Sequence, residues 1–104
     1  MQLRKKKQKN IYSEKYLEKK LGQKIKRLGG LCIKLLPFQL AGIPDRLCLL
    51  PNGIVFFAEI KTAGEKPKKL QIYWQKKLIE LCFECYMIDN LTQINEIIES
   101  YEKD

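Results

Sequence analysis

The sequence contains no histidine, the side chain most often used as a general base near neutral pH. Ser-His-Asp and Cys-His catalytic sites are therefore excluded, and so are zinc sites that use imidazole ligands. Any general base has to be Asp, Glu, Lys, Tyr or water. This composition leaves mechanisms that use carboxylates and bound metal ions open.

A long hydrophobic run is also missing. No segment approaches the ~18 consecutive apolar residues of a membrane span. The basic residues 4–9 are followed by a polar stretch rather than by the apolar core of a secretion signal. We therefore expect an intracellular protein without a membrane partner, in which the four cysteines stay reduced.

The four cysteines do not form a recognisable metal site. Cys82 and Cys85 form a single Cys-x-x-Cys pair, Cys32 and Cys48 lie in apolar runs, and no histidine completes a ligand set. We interpret these cysteines as buried thiols that pack as small hydrophobic side chains.

Acidic residues are scarce in the first third of the chain. The whole chain has 20 Lys and Arg against 12 Asp and Glu, a formal net charge of +8. Residues 1–34 contain 12 of the basic residues and only two acidic ones, Glu14 and Glu18. This distribution favours a polyanionic partner, and on charge alone a solubilising surface is an equally good interpretation.

Length and composition are typical of one small globular domain. The chain has 104 residues, of which 45% are hydrophobic and 10% aromatic. We expect residues 1–10 to form a flexible basic arm and residues 11–104 to form a single domain.

Local signals predict the order α-β-β-β-α-β-α. Ser13 is a good N-cap for the first helix, Gly29 and Gly30 end that helix, and Asn90 can cap the last one. A mixed sheet flanked by helices fits this order. The other predicted ranges are strands 31–36, 45–50 and 54–61, helix 69–83 and strand 85–88.

The Pro-Asn-Gly segment at residues 51–53 predicts a three-residue hairpin loop that sets the register of the strands beside it. Pro suits the first corner of a type I turn, and Gly suits the left-handed position that follows. In this register Leu50 faces Ile54, and Asp45 faces Glu59. Two facing carboxylates repel each other, and burial raises the pKa of one of them. A divalent cation between them, such as Mg²⁺ or Mn²⁺, reverses the effect because it prefers carboxylate oxygens.

Lys61 lies two residues after Glu59, so both side chains leave the same face of the strand. A Glu-x-Lys sequence alone is better interpreted as an ion pair at an exposed strand end. The facing Asp45 makes a functional site the better interpretation of the three residues together.

Two further polar residues continue apolar helix stripes. Glu14 falls within the arc of the first helix that faces the core, although the helix dipole also favours an acid in the first turn. Glu18 lies at the edge of that arc and is the weaker candidate. Gln71 opens the stripe of helix 69–83, where a capping or solvent-facing role is equally plausible. The apolar members of that second stripe are Leu70, Trp74, Leu78 and Leu81.

An ordered set of motifs resembles a known nuclease family. Residues 42–45 read Gly-Ile-Pro-Asp, residues 59–61 read Glu-Ile-Lys, and Gln71 follows. Glu14 lies 15 residues before the Gly-Gly pair, and Lys34 lies on the first strand. From about residue 13 to residue 89, the chain resembles the VRR-NUC domain of the PD-(D/E)XK superfamily, in the minimal stand-alone form associated with phages.

The resemblance implies an α/β fold with a restriction-endonuclease-like core, α-β-β-β-α-β, and a C-terminal helix. It implies hydrolysis of DNA phosphodiester bonds with Mg²⁺ or Mn²⁺. For the stand-alone form it implies a homodimer that acts on branched DNA such as Holliday junctions, in the cytoplasm of a bacterial host.

Roles for single residues follow from the resemblance by position. Asp45, Glu59 and the Ile60 carbonyl would bind the metal, and Glu14 would hold a second metal or its water. Lys61 would orient the attacking water or stabilise charge on the phosphate, with Gln71 positioning Lys61 or the phosphate. The candidate DNA-binding residues are Arg4, Lys5, Lys6, Lys7 and Lys34.

Other functions are compatible with the same residues. A non-catalytic DNA-binding module with this fold is one alternative, and a flap, nicking or restriction-type nuclease is another. A protein-interaction domain with a basic arm is a third, and it predicts negligible DNA affinity even at low salt. Because every candidate catalytic position holds a competent residue, the nuclease is the preferred hypothesis.

Overall fold

The computed structural model describes residues 12–36 and 40–102, so the basic arm expected at residues 1–10 lies outside the described residues. The predicted order of elements is confirmed. No helix in the described ranges has the length and apolar character that crossing a membrane requires. The helices are α1 (Glu14–Arg27), α2 (Lys69–Glu80) and α3 (Leu91–Glu102), and the strands are β1 (Leu31–Lys34), β2 (Arg46–Leu50), β3 (Ile54–Ile60) and β4 (Glu84–Ile88).

The four strands form one mixed sheet in the order β1-β2-β3-β4. The β1–β2 and β2–β3 pairs are antiparallel, and the β3–β4 pair is parallel. A parallel pair needs a crossover connection, which α2 supplies, whereas the β2–β3 pair needs only a tight turn. The mixed sheet predicted from the sequence is therefore confirmed.

The core lies where α1 and α3 pack against one face of the sheet. Burial alternates along β2 and β3, so their even-numbered residues face this core. The ring of Phe56 on β3 stacks on Tyr101 of α3 with centroids 5.1 Å apart. The core side chains are Leu17, Leu21, Ile25, Cys48, Leu50, Phe56, Ala58, Ile60, Ile88, Ile94, Ile97 and Ile98.

The helix ends follow the predicted capping signals. Ser13 Oγ accepts a hydrogen bond of 3.1 Å from the Tyr16 N–H, and Asn90 Oδ1 accepts one of 2.9 Å from the Gln93 N–H. Gly29 has a φ of +87°, a left-handed conformation that closes α1 and favours glycine. Both predicted N-caps and the predicted end of α1 are confirmed.

The apolar stripe predicted for helix 69–83 is exposed at both of its ends. Leu78 is buried, but Leu70 is 53% exposed and Leu81 is 67% exposed. Exposed apolar residues also occur outside the stripe, among them Ile72 and Ile79, so the apolar residues of this helix are not confined to one side. In addition, the helix ends at Glu80, so Leu81 lies in its C-terminal cap.

The cysteines differ in burial, which corrects the expectation of buried thiols. Cys48 is buried, and Cys32, its partner across the β1–β2 pair, is half-buried with the two Sγ atoms 3.8 Å apart. Cys85 is also half-buried. Cys82 is exposed because it follows α2 with a φ of 71°, at the left-handed position that ends the helix.

Candidate active site

The β2–β3 hairpin has the register predicted from its turn. Leu50 pairs with Ile54, and the pairing continues regularly to Arg46. Asp45, the residue before β2, therefore lies opposite Glu59, and its N–H donates a hydrogen bond of 3.2 Å to Glu59 Oε1. We call this the open end of the hairpin, and the turn at residues 51–53 the closed end.

The turn differs from the predicted type I form. Asn52 has a φ of 69° and Gly53 a φ of 74°, so two successive residues are left-handed. A type I turn has a negative φ at the position of Asn52. Asn adopts the left-handed region more readily than most residues, and the loop length that sets the register is unchanged.

The loop before β2 holds the Asp45 backbone in place. Gly42 has a φ of +90°, and a Cβ there would lie 2.6 Å from the Leu70 Cβ, so the loop can approach α2 only with glycine at this position. Trp74 Nε1 of α2 donates a hydrogen bond of 3.1 Å to the Ala41 carbonyl oxygen. The Asp45 carbonyl oxygen accepts a backbone hydrogen bond of 2.7 Å from the segment after β1.

Both carboxyl groups at the open end are shifted toward their neutral form. Burial raises the pKa of Asp45, and the adjacent Arg46 guanidinium partly opposes that shift. The pKa of Glu59 is raised to about 7, first by burial and then by the charge of Asp45, while Lys61 acts in the opposite direction. A positive ion between the two groups would favour their charged forms.

The donor set fits a hard divalent cation. Asp45 Oδ1 is buried and has no hydrogen-bond partner among the described residues. Such an oxygen is unfavourable in a folded protein, and it is the kind of ligand that Mg²⁺ and Mn²⁺ prefer. Within residues 12–36 and 40–102, no cluster of three or more His, Cys, Asp or Glu side chains is suited to a metal. A cation at the Asp45–Glu59 pair therefore also needs a backbone carbonyl and waters, which Mg²⁺ commonly retains.

Lys61 is a buried amine beside the carboxylate pair. The Lys61 backbone N–H donates a hydrogen bond of 2.7 Å to the Ile88 carbonyl oxygen, which continues the β3–β4 pairing past the end of β3. Its side chain is only 7% exposed, and Nζ lies 3.9 Å from Glu65 Oε2. The side chain lines a cavity of about 110 Å³, and its charge lowers the pKa of Glu59.

Two comparisons relate this fold and site to known proteins, although no protein-family model matches the chain. A solved structure described as a VRR_NUC domain superposes with a TM-score of 0.79 at 28% identity, covering 85% of this chain and 96% of that one. The chain is also 35% identical over 80 residues to "Putative nuclease p44" of Acyrthosiphon pisum secondary endosymbiont phage 1, covering 77% of this chain and 86% of that protein. This chain belongs to the VRR-NUC family. The α/β fold and the family inferred from the sequence motifs are thereby confirmed.

The VRR-NUC chain buries a charged residue that the sequence motifs did not single out. Arg46 is 6% exposed, and its Nη2 lies 2.9 Å from Glu18 Oε1 on α1. Its Nη1 lies 3.5 Å from Asp45 Oδ2 and 3.4 Å from the Asp45 carbonyl oxygen. Strand periodicity indicated this burial, because Arg46 shares the core-facing side of β2 with Cys48 and Leu50.

The two acids of α1 interact with different residues of this arrangement. Glu14 is half-buried in the first turn, and its charge contributes to the raised pKa of Glu59. Glu18, the weaker candidate from the sequence, makes the ion pair with Arg46. Glu14 therefore acts on Glu59 through its charge, and Glu18 connects α1 to β2 through Arg46.

The other predicted residues are peripheral to the carboxylate pair. Gln71 Oε1 accepts a hydrogen bond of 2.8 Å from the Lys68 N–H, which is the capping role considered as its alternative. Lys34 is exposed at the end of β1, and its charge lowers the pKa of Asp45. The remaining DNA-binding candidates, Arg4, Lys5, Lys6 and Lys7, lie outside the described residues.

Proposed function

We propose that this VRR-NUC protein is a Mg²⁺- or Mn²⁺-dependent DNA endonuclease that cleaves branched DNA such as Holliday junctions. The observation that carries the proposal is the pair of facing carboxylates. The Asp45 N–H is bonded to Glu59 Oε1, and Asp45 Oδ1 has no partner among the described residues. Facing carboxylates do not stabilise a strand pair. Their presence in a chain related to a phage protein named as a nuclease supports a role in binding a cation at a phosphate.

The metal ligands in this proposal are Asp45, Glu59 and the Ile60 carbonyl oxygen, with Glu14 holding a second cation or its water. When bound, a divalent cation supplies a water of lowered pKa and offsets negative charge on the phosphate. The register of the hairpin and the hydrogen bond from the Asp45 backbone N–H to Glu59 Oε1 support this ligand set, because they hold the two residues opposite each other at the open end.

Lys61 orients the attacking water or stabilises the negative charge that develops on the phosphate. Its burial supports this role, because a fixed charge interacts more strongly where water is excluded. Gln71 would contact Lys61 or the phosphate through Nε2, since its Oε1 is held by the helix cap.

The basic residues Lys34, Arg4, Lys5, Lys6 and Lys7 would contact the DNA backbone, in keeping with the net charge of +8. In this proposal, residues 11–104 form a single domain, and two chains form a homodimer. The reason for the dimer is that each chain would supply one site, whereas a four-way junction needs two cuts. Because its relative comes from a phage, we propose that it acts in the cytoplasm of a bacterial host.

A cleavage panel tests this function. Synthetic four-way junction, flap, single-stranded and duplex DNA are incubated with the protein in Mg²⁺, Mn²⁺ or EDTA. We expect the junction to be cut only when a divalent metal is present. We expect Lys61→Ala to reduce the rate by about 100-fold or more while DNA binding in EDTA survives. Lys76→Ala, at an exposed lysine of α2, is the matched control and should cut like wild type.

Each other outcome identifies a different error. Junction binding without cleavage in either metal would favour the non-catalytic DNA-binding module. Faster cutting of flaps or duplex than of the junction would support the nuclease activity but contradict branched DNA as its preferred substrate. In solution, light scattering should give twice the mass of one chain, and a monomer would contradict the dimer.

A further inference from the structure

Arg46 connects helix α1 to the Asp45 carboxylate through one buried guanidinium group. Nη2 lies 2.9 Å from Glu18 Oε1, while Nη1 lies 3.5 Å from Asp45 Oδ2. Nη1 also donates a 3.4 Å hydrogen bond to the Asp45 carbonyl oxygen. The Arg46 side chain is 8% exposed, so these contacts are largely shielded from water.

We propose that Arg46 is a positioning residue that determines which oxygen of Asp45 is available to the cation; this inference rests on the proposed metal-dependent function. Arg46 contacts Oδ2, and Oδ1 is the buried oxygen without a partner among the described residues. A guanidinium group is planar and rigid, so contacts to both the carboxylate and the carbonyl oxygen of one residue restrict rotation of that carboxylate.

Glu18, rather than Asp45, is the nearer ion-pair partner of Arg46. It approaches Arg46 more closely than Asp45 does, at 2.9 Å against 3.5 Å. A buried guanidinium needs a compensating anion, and Glu18 provides it from α1. Arg46 therefore orients the Asp45 carboxylate without fully neutralising its charge.

Charge alone predicts the opposite effect from positioning when Arg46 is replaced. Arg46 is a positive charge beside a cation ligand, so its removal should strengthen Mn²⁺ binding if only electrostatic repulsion matters. If Arg46 orients Asp45, its removal should weaken Mn²⁺ binding. The sign of the change therefore distinguishes the two.

The experiment measures Mn²⁺ binding to the full chain without DNA, by titration calorimetry or by the electron paramagnetic resonance signal of free Mn²⁺. We expect Arg46→Met and Arg46→Lys to bind Mn²⁺ roughly tenfold more weakly or worse, as for other residues that orient metal ligands. Arg46→Lys retains the charge but lacks the planar fork, so it tests orientation without a change of charge. Arg27→Met, at an exposed arginine of α1, should bind like wild type.

Circular dichroism identifies which variants are folded, and Arg46→Lys carries the test if Arg46→Met is not. Leu21→Ala removes a buried side chain from α1 that makes none of the ion pairs or hydrogen bonds of Arg46, so it should lower stability and leave Mn²⁺ affinity unchanged. Equal or tighter binding by a folded Arg46 variant, or equal weakening in Leu21→Ala, would overturn the positioning role and leave the nuclease intact. A wild-type protein that neither binds Mn²⁺ nor cuts DNA would overturn both.

Discussion

The two ends of the β2–β3 hairpin place very different residue pairs in the same register. At the closed end, Leu50 faces Ile54 beside a three-residue turn, and Leu50 is buried in the core. At the open end, Asp45 faces Glu59, and burial raises the pKa of both carboxyl groups. The first pair stabilises the hairpin by packing, whereas the second pair disfavours folding whenever both groups are charged.

This difference separates the residues that stabilise the fold from those that we assign to catalysis. The open end retains an unfavourable pair because the apolar core and the closed end already determine the register. Changes at the open end should therefore remove activity while preserving or raising stability. Changes at the closed end should lower stability while preserving activity.

Glu59→Gln should strongly reduce cleavage. It removes the charge of a proposed metal ligand and keeps the size of the side chain, so we expect cleavage in Mn²⁺ to fall about 100-fold or more. Initial rates on the DNA that wild type cuts fastest provide the measurement. Glu96→Gln, at an exposed acid of α3, is the control that should retain the wild-type rate. Equal rates for the two variants would remove Glu59 from the site.

Leu50→Ala should have the largest effect on stability at the closed end. Leu50 is only 7% exposed, so its truncation leaves a cavity and should lower the free energy of unfolding by about 3 kcal/mol. Urea unfolding followed by circular dichroism measures this change. Below its melting temperature, the variant should cut DNA at the wild-type rate. A large loss of activity in the folded variant would show that the two ends are not separable.

The pH dependence of stability should come from the open end. The pKa of Glu59 is raised from 4.5 to about 7, so between these pH values the folded protein binds a proton that the unfolded chain has released. Its contribution to stability is therefore greatest below pH 4.5 and is lost as the pH rises through about 7. In EDTA, the melting temperature of Glu59→Gln minus that of wild type should be larger at pH 8 than at pH 5. The same difference at both pH values would contradict the assigned shift.

Gly53→Ala should have the smallest effect. No atom lies within 4 Å of the position that a Cβ would take, so the cost is the left-handed φ of +74°. We expect a loss of about 1 kcal/mol in the free energy of unfolding and unchanged cleavage. The midpoint of urea unfolding measures the first and the initial rate the second. A loss as large as that in Leu50→Ala would mean that the turn controls the register more strongly than the core does.

The hairpin was predictable because its signals are local. A three-residue loop fixes the first cross-strand pair, and the period of two in each strand then places Asp45 opposite Glu59. Even the conformation of Asn52, which differs from the predicted turn type, leaves this register unchanged. The facing carboxylates could therefore be predicted from the sequence with few assumptions.

The exposed face of α2 was not predictable in the same way. Helical spacing groups Leu70 with Leu78, but it does not tell which part of a helix another element covers. Here Leu78 is buried, while Leu70 is more than half exposed. The role of Gln71 was not predictable either, because its position in the first turn of the helix suits both a capping residue and a residue of the site.

The role of Arg46 depends on a contact between distant parts of the chain. Strand periodicity indicates that its side chain faces the core, which a charged residue tolerates only with a partner. The partner, Glu18, lies on α1, and only the packing of that helix against the sheet brings the two together. The sequence therefore contained evidence for a buried arginine but not for the residues that it contacts.

The most direct test of a metal-dependent nuclease centre at the open end is the rate of four-way-junction cleavage in Mn²⁺ by wild type and Asp45→Asn, measured side by side. Asn has nearly the same shape as Asp and removes its charge, so folding and junction binding should be retained. We predict cleavage by wild type and none above background by the variant. Cleavage by Asp45→Asn at the wild-type rate would contradict the assignment of this centre.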